Sequence, residues 1–359
     1  MLTPKAKRNI QRILPFGLIW FVFGMVFMIV EHAASPKNVA SGAIKMDFNV
    51  FVFASIAVTM LGLLIGSVEL FFLNRLFTKS SFIKKIFGKL FIYGTLLFIV
   101  ILFTYPIAAS IELDTSVFDT KVWEKLSSFF KSLTLWSTAL QMAVSLGVSV
   151  FYAEISDNIG HGILISFFTG KYHTPKEETR IFMFLDMKSS TSIAEKLGHI
   201  KYFQLLKEYY YNISNPIIDF SGEIYQYVGD EIVVSWPYKD GVKNNNCIHC
   251  FYAMKAQLEK HKEWYYKNFG LAPSFKAGFH LGKVTTGEIG SIKKEIIFTG
   301  DVLNATARIQ SLCNYYNVDI LISGDLIKVL NLDTEFNIKS LGENELRGKQ
   351  EAIELYTIG

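Results

Sequence analysis

The sequence predicts two folds in series: an all-α domain of four transmembrane helices, then an α/β domain of α+β type built on a mostly antiparallel sheet. Three observations predict it. The chain has 359 residues and is 50% hydrophobic, too apolar for one soluble globule of ordinary composition. The excess lies in four runs, residues 13–30, 50–73, 90–109 and 132–153, the last two free of charge. Beyond residue 176, short apolar runs alternate with amphipathic stretches and turn-forming residues.

Each apolar run is about long enough to cross the roughly 30 Å hydrocarbon core as a helix. The first follows basic residues but lacks a small-residue cleavage site, so it reads as an anchor and not a signal peptide. Lysine and arginine set the orientation. Lys5, Lys7, Arg8 and Arg12 precede the first run, and Arg75, Lys79, Lys84, Lys85 and Lys89 sit in the 74–89 loop. The 31–49 loop has only Lys37 and Lys45, and the lysines of the 110–131 loop are offset by acids. The N-terminus and the C-terminal half are therefore expected in the cytoplasm, on a multi-pass protein of the inner (plasma) membrane. The net charge of +4 follows from this topology and gives no reason to expect nucleic acid. Glu69 lies in the second run near its cytoplasmic end, where it is expected to reach the interface near Arg75. The spans have few polar residues and no interrupted pair, which disfavours a transporter.

The membrane domain is expected over residues 1–153, a connector over 154–175 and the soluble domain over 176–359. The connector continues the fourth helix, breaks at Gly160 and Gly162, and stops at Gly170 and Pro175. As the covalent path between the two domains it is either a signal transducer or a passive spacer. In the soluble part, 180–186 reads as a strand and 193–220 as an amphipathic helix split near Gly198. Residues 223–227 and 231–236 read as a hairpin, and 241–269 as one long helix. Strands follow at 274–282, 284–289 and 295–299, then a helix at 301–314. Cys247, Cys250 and Cys313 read as ordinary reduced cysteines, because a structural zinc site needs about four ligands and no second pair accompanies Cys247 and Cys250.

Two aspartates carry the chemistry. Asp186 ends the apolar run in Phe182-Met-Phe-Leu-Asp186-Met-Lys-Ser-Ser-Thr191, and Asp230 sits in Tyr227-Val-Gly229-Asp230-Glu231. Carboxylates at neighbouring strand ends can share hard divalent cations, which bind through one or two carboxylates plus substrate phosphates. The short turn into a helix after Asp186 is an anion site. A third motif, Gly300-Asp301-Val-Leu-Asn304-Ala-Thr-Ala-Arg308, puts Asn304 and Arg308 on one helix face, with Asp301 expected as the cap.

Together and in this order, these motifs resemble the catalytic domain of class III adenylate and guanylate cyclases, over about residues 178–358. The resemblance implies a ferredoxin-like α+β fold and a homodimer whose site forms between two domains. It implies two Mg²⁺ or Mn²⁺ ions held by Asp186, Met187 and Asp230, and phosphate oxygens held by Ser189, Ser190 and Thr191. It makes Asn304 the residue that orients the ribose and Arg308 the one that stabilises triphosphate charge. In Leu346-Arg347-Gly348-Lys349 it points to Lys349 as a phosphate contact, with Arg347 the alternative. The purine-reading positions fall on Gln226 and Ile297, which match neither the adenylate nor the guanylate pattern. Gln226 has a donor and an acceptor and can face either purine. The expected function is a membrane-bound adenylate cyclase acting on ATP. The alternatives are a guanylate cyclase acting on GTP and a non-catalytic nucleotide-sensing module.

Overall fold

The computed structural model describes residues 2–34, 43–73, 76, 82–332, 335–345 and 352–359. The chain divides into two compact units, one of Ala6–Leu164 and one that holds Ile165–Gly359.

The first unit is built from α1 (Pro4–Ala34), α2 (Phe48–Val68), α3 (Phe82–Leu113), α4 (Thr120–Phe130) and α5 (Leu133–Ile159). Among the described residues, four helices are long and apolar enough to cross a membrane: Pro4–Glu31, Phe48–Leu73, Phe91–Leu113 and Leu133–Ile159. Glycines let α1 and α2 approach closely, since a Cβ at Gly62 would lie 2.7 Å from the Phe16 carbonyl oxygen. Trp20, 1% exposed, donates its indole N–H to Ser149 Oγ at 3.0 Å.

Two expectations for this unit are corrected. Residues 110–131 are not a plain loop: α4 lies within them, capped by the Asp119 carboxylate and burying Val122, Leu126 and Phe129. Their spacing of three to four residues is the helical period. Glu69 does not reach outward. It opens a single π-helical turn, Glu69–Leu73, and is 3% exposed, accepting from Lys89 and from the Tyr93 hydroxyl. A buried carboxylate needs such partners, and they come from α3. Arg75 lies outside the described residues.

Gly160, with φ of 96°, ends α5, and α6 (His161–Thr169) leads into the second unit. The sheet order there is β2-β3-β1-β4-β6-β8-β7, with β5 paired to β4. The strands are β1 (Lys176–Met187), β2 (Glu223–Val228), β3 (Glu231–Pro237), β4 (Phe275–Ile289), β5 (Glu295–Thr299), β6 (Ile320–Ser323), β7 (Ile338–Asn344) and β8 (Ile353–Ile358). Among the described residues only β4 and β6 pair in parallel. The expected strands 274–282 and 284–289 are one long strand, β4.

The helices of this unit include α7 (Ser190–Leu197), α8 (His199–Asp219), α9 (Asn246–Lys260), α10 (Lys262–Phe269) and α11 (Asp301–Ser311). One face of the sheet packs Ile181, Met183 and Leu185 of β1 against Leu205, Tyr209 and Ile213 of α8 and Phe251 and Met254 of α9. On the other face, Phe182 and Phe184 pack with Val302 of α11. Strand side chains alternate between faces, so the Ile181–Leu185 stretch of β1 is apolar at every position because both of its faces are covered.

The expected helix 241–269 is broken. Asn244 and Asn245 take φ of 50° and 52°, a left-handed conformation that asparagine tolerates. Asn245 is locked there because its amide donates to Asn331 O and accepts from Asn331 N. A second break at His261 separates α9 from α10.

Candidate active site

The ladder brings the two aspartates together. At the end of β1, Asp186 pairs with Glu231 of β3 on one side and with Lys276 of β4 on the other. Asp230 immediately precedes Glu231, in the two-residue turn between β2 and β3. Gly229 makes that turn with φ of 62°, which glycine adopts freely. The Tyr210 hydroxyl donates to Gly229 O at 2.8 Å and fixes the turn.

Charge in this corner is unbalanced. Burial, and then the facing Asp230 carboxylate, push the Asp186 carboxyl above its ordinary range, and Lys276 only partly offsets this. Burial and the same two aspartates raise Glu231. Asp230 Oδ2 is buried with no hydrogen-bond partner. Two carboxylates without a donor between them are costly unless a cation or a proton is shared. The donor set fits a hard divalent cation: oxygen only, and among the described residues no cluster of three or more His, Cys, Asp or Glu that would close a site without substrate. The Met187 side chain is 1% exposed in the core, so only its backbone can contribute.

The turn after Asp186 opens α7. Ser189 holds φ of 56°, a strained conformation for a residue with a Cβ. The Ser189 side chain makes no capping hydrogen bond to this helix. The first N–H groups of α7, at Ser190 and Thr191, have no partner within the helix and suit an anion. The Lys188 N–H is committed to Ser274 O at 2.9 Å and is not part of that set.

Asn304 is exposed and Arg308 half-buried on α11, and among the described residues Arg308 forms no ion pair. The cap of this helix is Gly300, and Asp301 is its first residue, so Asp301 is not the cap that was expected. Gln226, exposed, and Ile297, half-buried, flank the contact of Tyr225 with Phe298, whose rings lie 4.8 Å apart. Lys349 and Arg347 lie outside the described residues. The cysteines are buried thiols, with burial pushing Cys247 and Cys313 up to about 12.

Two residues at the site were missed. Lys276 Nζ lies 3.3 Å from Asp186 Oδ2 and 3.1 Å from Asn314 Oδ1, and Gln310 Nε2 donates to the same Asp186 oxygen at 3.3 Å. The signal was available: Lys276, Gly278 and His280 form one face of a strand whose other face is Phe275, Ala277 and Phe279. That polar face is covered, with Lys276 8% and His280 4% exposed.

Residues 172–359 match the family model described as the adenylate and guanylate cyclase catalytic domain. Adenylate cyclase 2 of Rhizobium meliloti (strain 1021) is 32% identical over 212 residues, which cover 59% of this chain and 58% of that protein. An adenylate cyclase of Anabaena cylindrica is 27% identical over 183 residues, 49% of this chain and 36% of that one. A solved bacterial light-regulated adenylyl cyclase shares the fold at a TM-score of 0.53 and 19% identity, over 60% of this chain and 63% of that chain. The chain thus spans less than two thirds of the length of these relatives.

Proposed function

The chain belongs to the adenylate and guanylate cyclase family through the catalytic domain at residues 172–359, and on that premise we propose that it is a membrane-bound adenylate cyclase converting ATP to 3′,5′-cyclic AMP and pyrophosphate. The observation that carries the proposal is the pair Asp186 and Asp230, facing each other at neighbouring strand ends, with a buried Asp230 oxygen left without a partner. The adjacent start of α7 supplies backbone donors for phosphate oxygens.

In the reaction the ribose 3′-oxygen bonds to the α-phosphorus. The bond to the bridging oxygen breaks, pyrophosphate leaves, and the hydroxyl proton passes to water. Asp186, Asp230 and the Met187 backbone carbonyl would hold Mg²⁺ or Mn²⁺, two per site. Bound there, the ions would acidify the 3′-hydroxyl and neutralise the charge of the leaving pyrophosphate. The residues of the chain position and stabilise. Ser189, Ser190 and Thr191 form the turn for the phosphates. Asn304 orients the ribose. Arg308, with its permanently charged planar fork, meets the charge of the transition state. Lys349 is the proposed further phosphate contact.

The site is proposed to be shared by two copies of the chain. Two observations support this: Arg308 has no carboxylate partner among the described residues, and α11 turns its opposite side to its own sheet. Four apolar helices support membrane anchoring, and the basic residues favour the inner face for the catalytic domain.

Adenine is favoured because both relatives above are adenylate cyclases. A guanylate cyclase is the second reading, because the exposed Gln226 amide offers both a donor and an acceptor. Coexpressing Asp186→Ala with Arg308→Ala tests the shared site. Each variant alone is expected to be nearly inactive. The mixture is expected to recover about a quarter of wild-type rate, since half the dimers carry one intact site of two. No recovery would sink the shared-site reading.

A further inference from the structure

Asp186 is tied to the helix that carries Asn304 and Arg308. Gln310 of α11 is 6% exposed and donates its amide to Asp186 Oδ2 at 3.3 Å. At 3.6 residues per turn, Gln310 points about 200° away from Arg308, so one edge of α11 faces its own sheet while the other serves the proposed partner site. Contact with the sheet is close, since a Cβ at Gly278 would lie 2.7 Å from Gln310 Cα. Lys276 approaches the same Asp186 oxygen and is itself held by Asn314. Asp186 Oδ2 is thus held from two sides, which leaves Oδ1 for a cation.

Ala305 and Ile309 of the same helix pack in an apolar cluster with Leu321 and Leu355, whereas Gln310 brings an amide against β4 and β1. A buried amide is costly unless it is bonded, and the bond formed here is to the carboxylate proposed to hold metal. We propose that Gln310 is a positioning residue that couples the cation carboxylate of one site to the Asn304/Arg308 helix of the other, making the two sites of the dimer interdependent. The inference rests on the shared-site reading above. When a cation draws Asp186, the Gln310 bond shifts α11 and with it the residues offered to the second site. The coupling is reciprocal.

The test uses full-length wild type, Gln310→Met and Gln310→Asn. Methionine keeps the length and loses the donor, while asparagine keeps the amide but is one methylene short of Asp186. Initial rates are followed against nucleotide at saturating Mn²⁺. Mn²⁺ binding is followed separately by the electron paramagnetic resonance signal of the free ion. Wild type is expected to show a Hill coefficient that departs from unity in the nucleotide titration, where both variants return to unity. Because each site takes two ions, the Mn²⁺ titration is read as a change in the Hill coefficient from wild type to variant. A purely structural Gln310 would lower thermal stability and leave the Hill coefficients at their wild-type values. That result, or a unit coefficient in the nucleotide titration of wild type, overturns the coupling. Absence of any cyclic product from wild type overturns the enzymatic reading instead, and the Mn²⁺ titration then still reports on the coupling.

Discussion

Replacing Asp230 with asparagine should separate the stability of the metal-free domain from its capacity to hold a cation. In the wild type, Asp230 Oδ2 is buried with no partner, and the Asp186 carboxylate faces it. An unsatisfied buried polar atom costs about 1–3 kcal/mol. An asparagine amide removes one charge and can donate to Asp186, replacing repulsion with a hydrogen bond. Asp230 is only half-buried, so water softens the effect, and a gain of about 1–2 kcal/mol is expected. That corresponds to roughly five- to thirtyfold less frequent opening. Hydrogen exchange of peptides spanning β1 and β3 reads it directly. In EDTA, Asp230→Asn should exchange more slowly than wild type. Addition of Mn²⁺ should slow exchange in wild type and leave the variant unchanged. Faster exchange of the variant in EDTA, or equal protection by Mn²⁺ in both proteins, would refute the argument that this pair is stored repulsion awaiting a cation.

Two further outcomes concern ion pairs. Asp319 accepts from Lys188 and from Lys255, which outweigh its burial and hold it below its ordinary value of 3.8. A depressed carboxyl stabilises above its unfolded pKa, and that contribution is lost as pH falls through the folded value. Asp319→Asn should therefore melt earlier at neutral pH, by no more than about 1 kcal/mol because the pair is partly open to water, and the gap should close below about pH 4 in thermal scans. Lys89→Met should destabilise the helical unit by about 3 kcal/mol or more in detergent melts, since Glu69 is left buried and unpaired, while Glu69→Gln with Lys89→Met should recover most of the loss.

Much of the candidate site's geometry was legible because its logic is local. The apolar run ending at Asp186 and the Gly229-Asp230 turn each announce their own conformation, and the antiparallel register of β1 and β3 does the rest. Helix spacing alone put Asn304 and Arg308 on one face. Residues whose roles depend on distant partners were not legible. Lys276 is legible as part of the polar face of β4, but not as a site residue until α11 is known to cover that face. Gln310 reads as a helix surface residue until Gly278 lets the helix settle onto the sheet. The break at Asn244 and Asn245 depends on Asn331, 86 positions away from Asn245 in sequence. The Glu69 pairing depends on α3 lying beside the π turn, and no pattern within the second span encodes that. Helix α4 does carry its period in the sequence, at Val122, Leu126 and Phe129, amid charged residues.

Nucleotide cyclisation is proposed to take place at Asp186 and Asp230. The purified full-length protein is incubated with Mn²⁺ and ATP, and separately with GTP, and cyclic nucleotide and pyrophosphate are measured by chromatography. Equal amounts of cyclic AMP and pyrophosphate from ATP, lost in both Asp186→Ala and Asp230→Ala, is the predicted result. Cyclic product undiminished in either aspartate variant, or no cyclic product from either nucleotide, would contradict it.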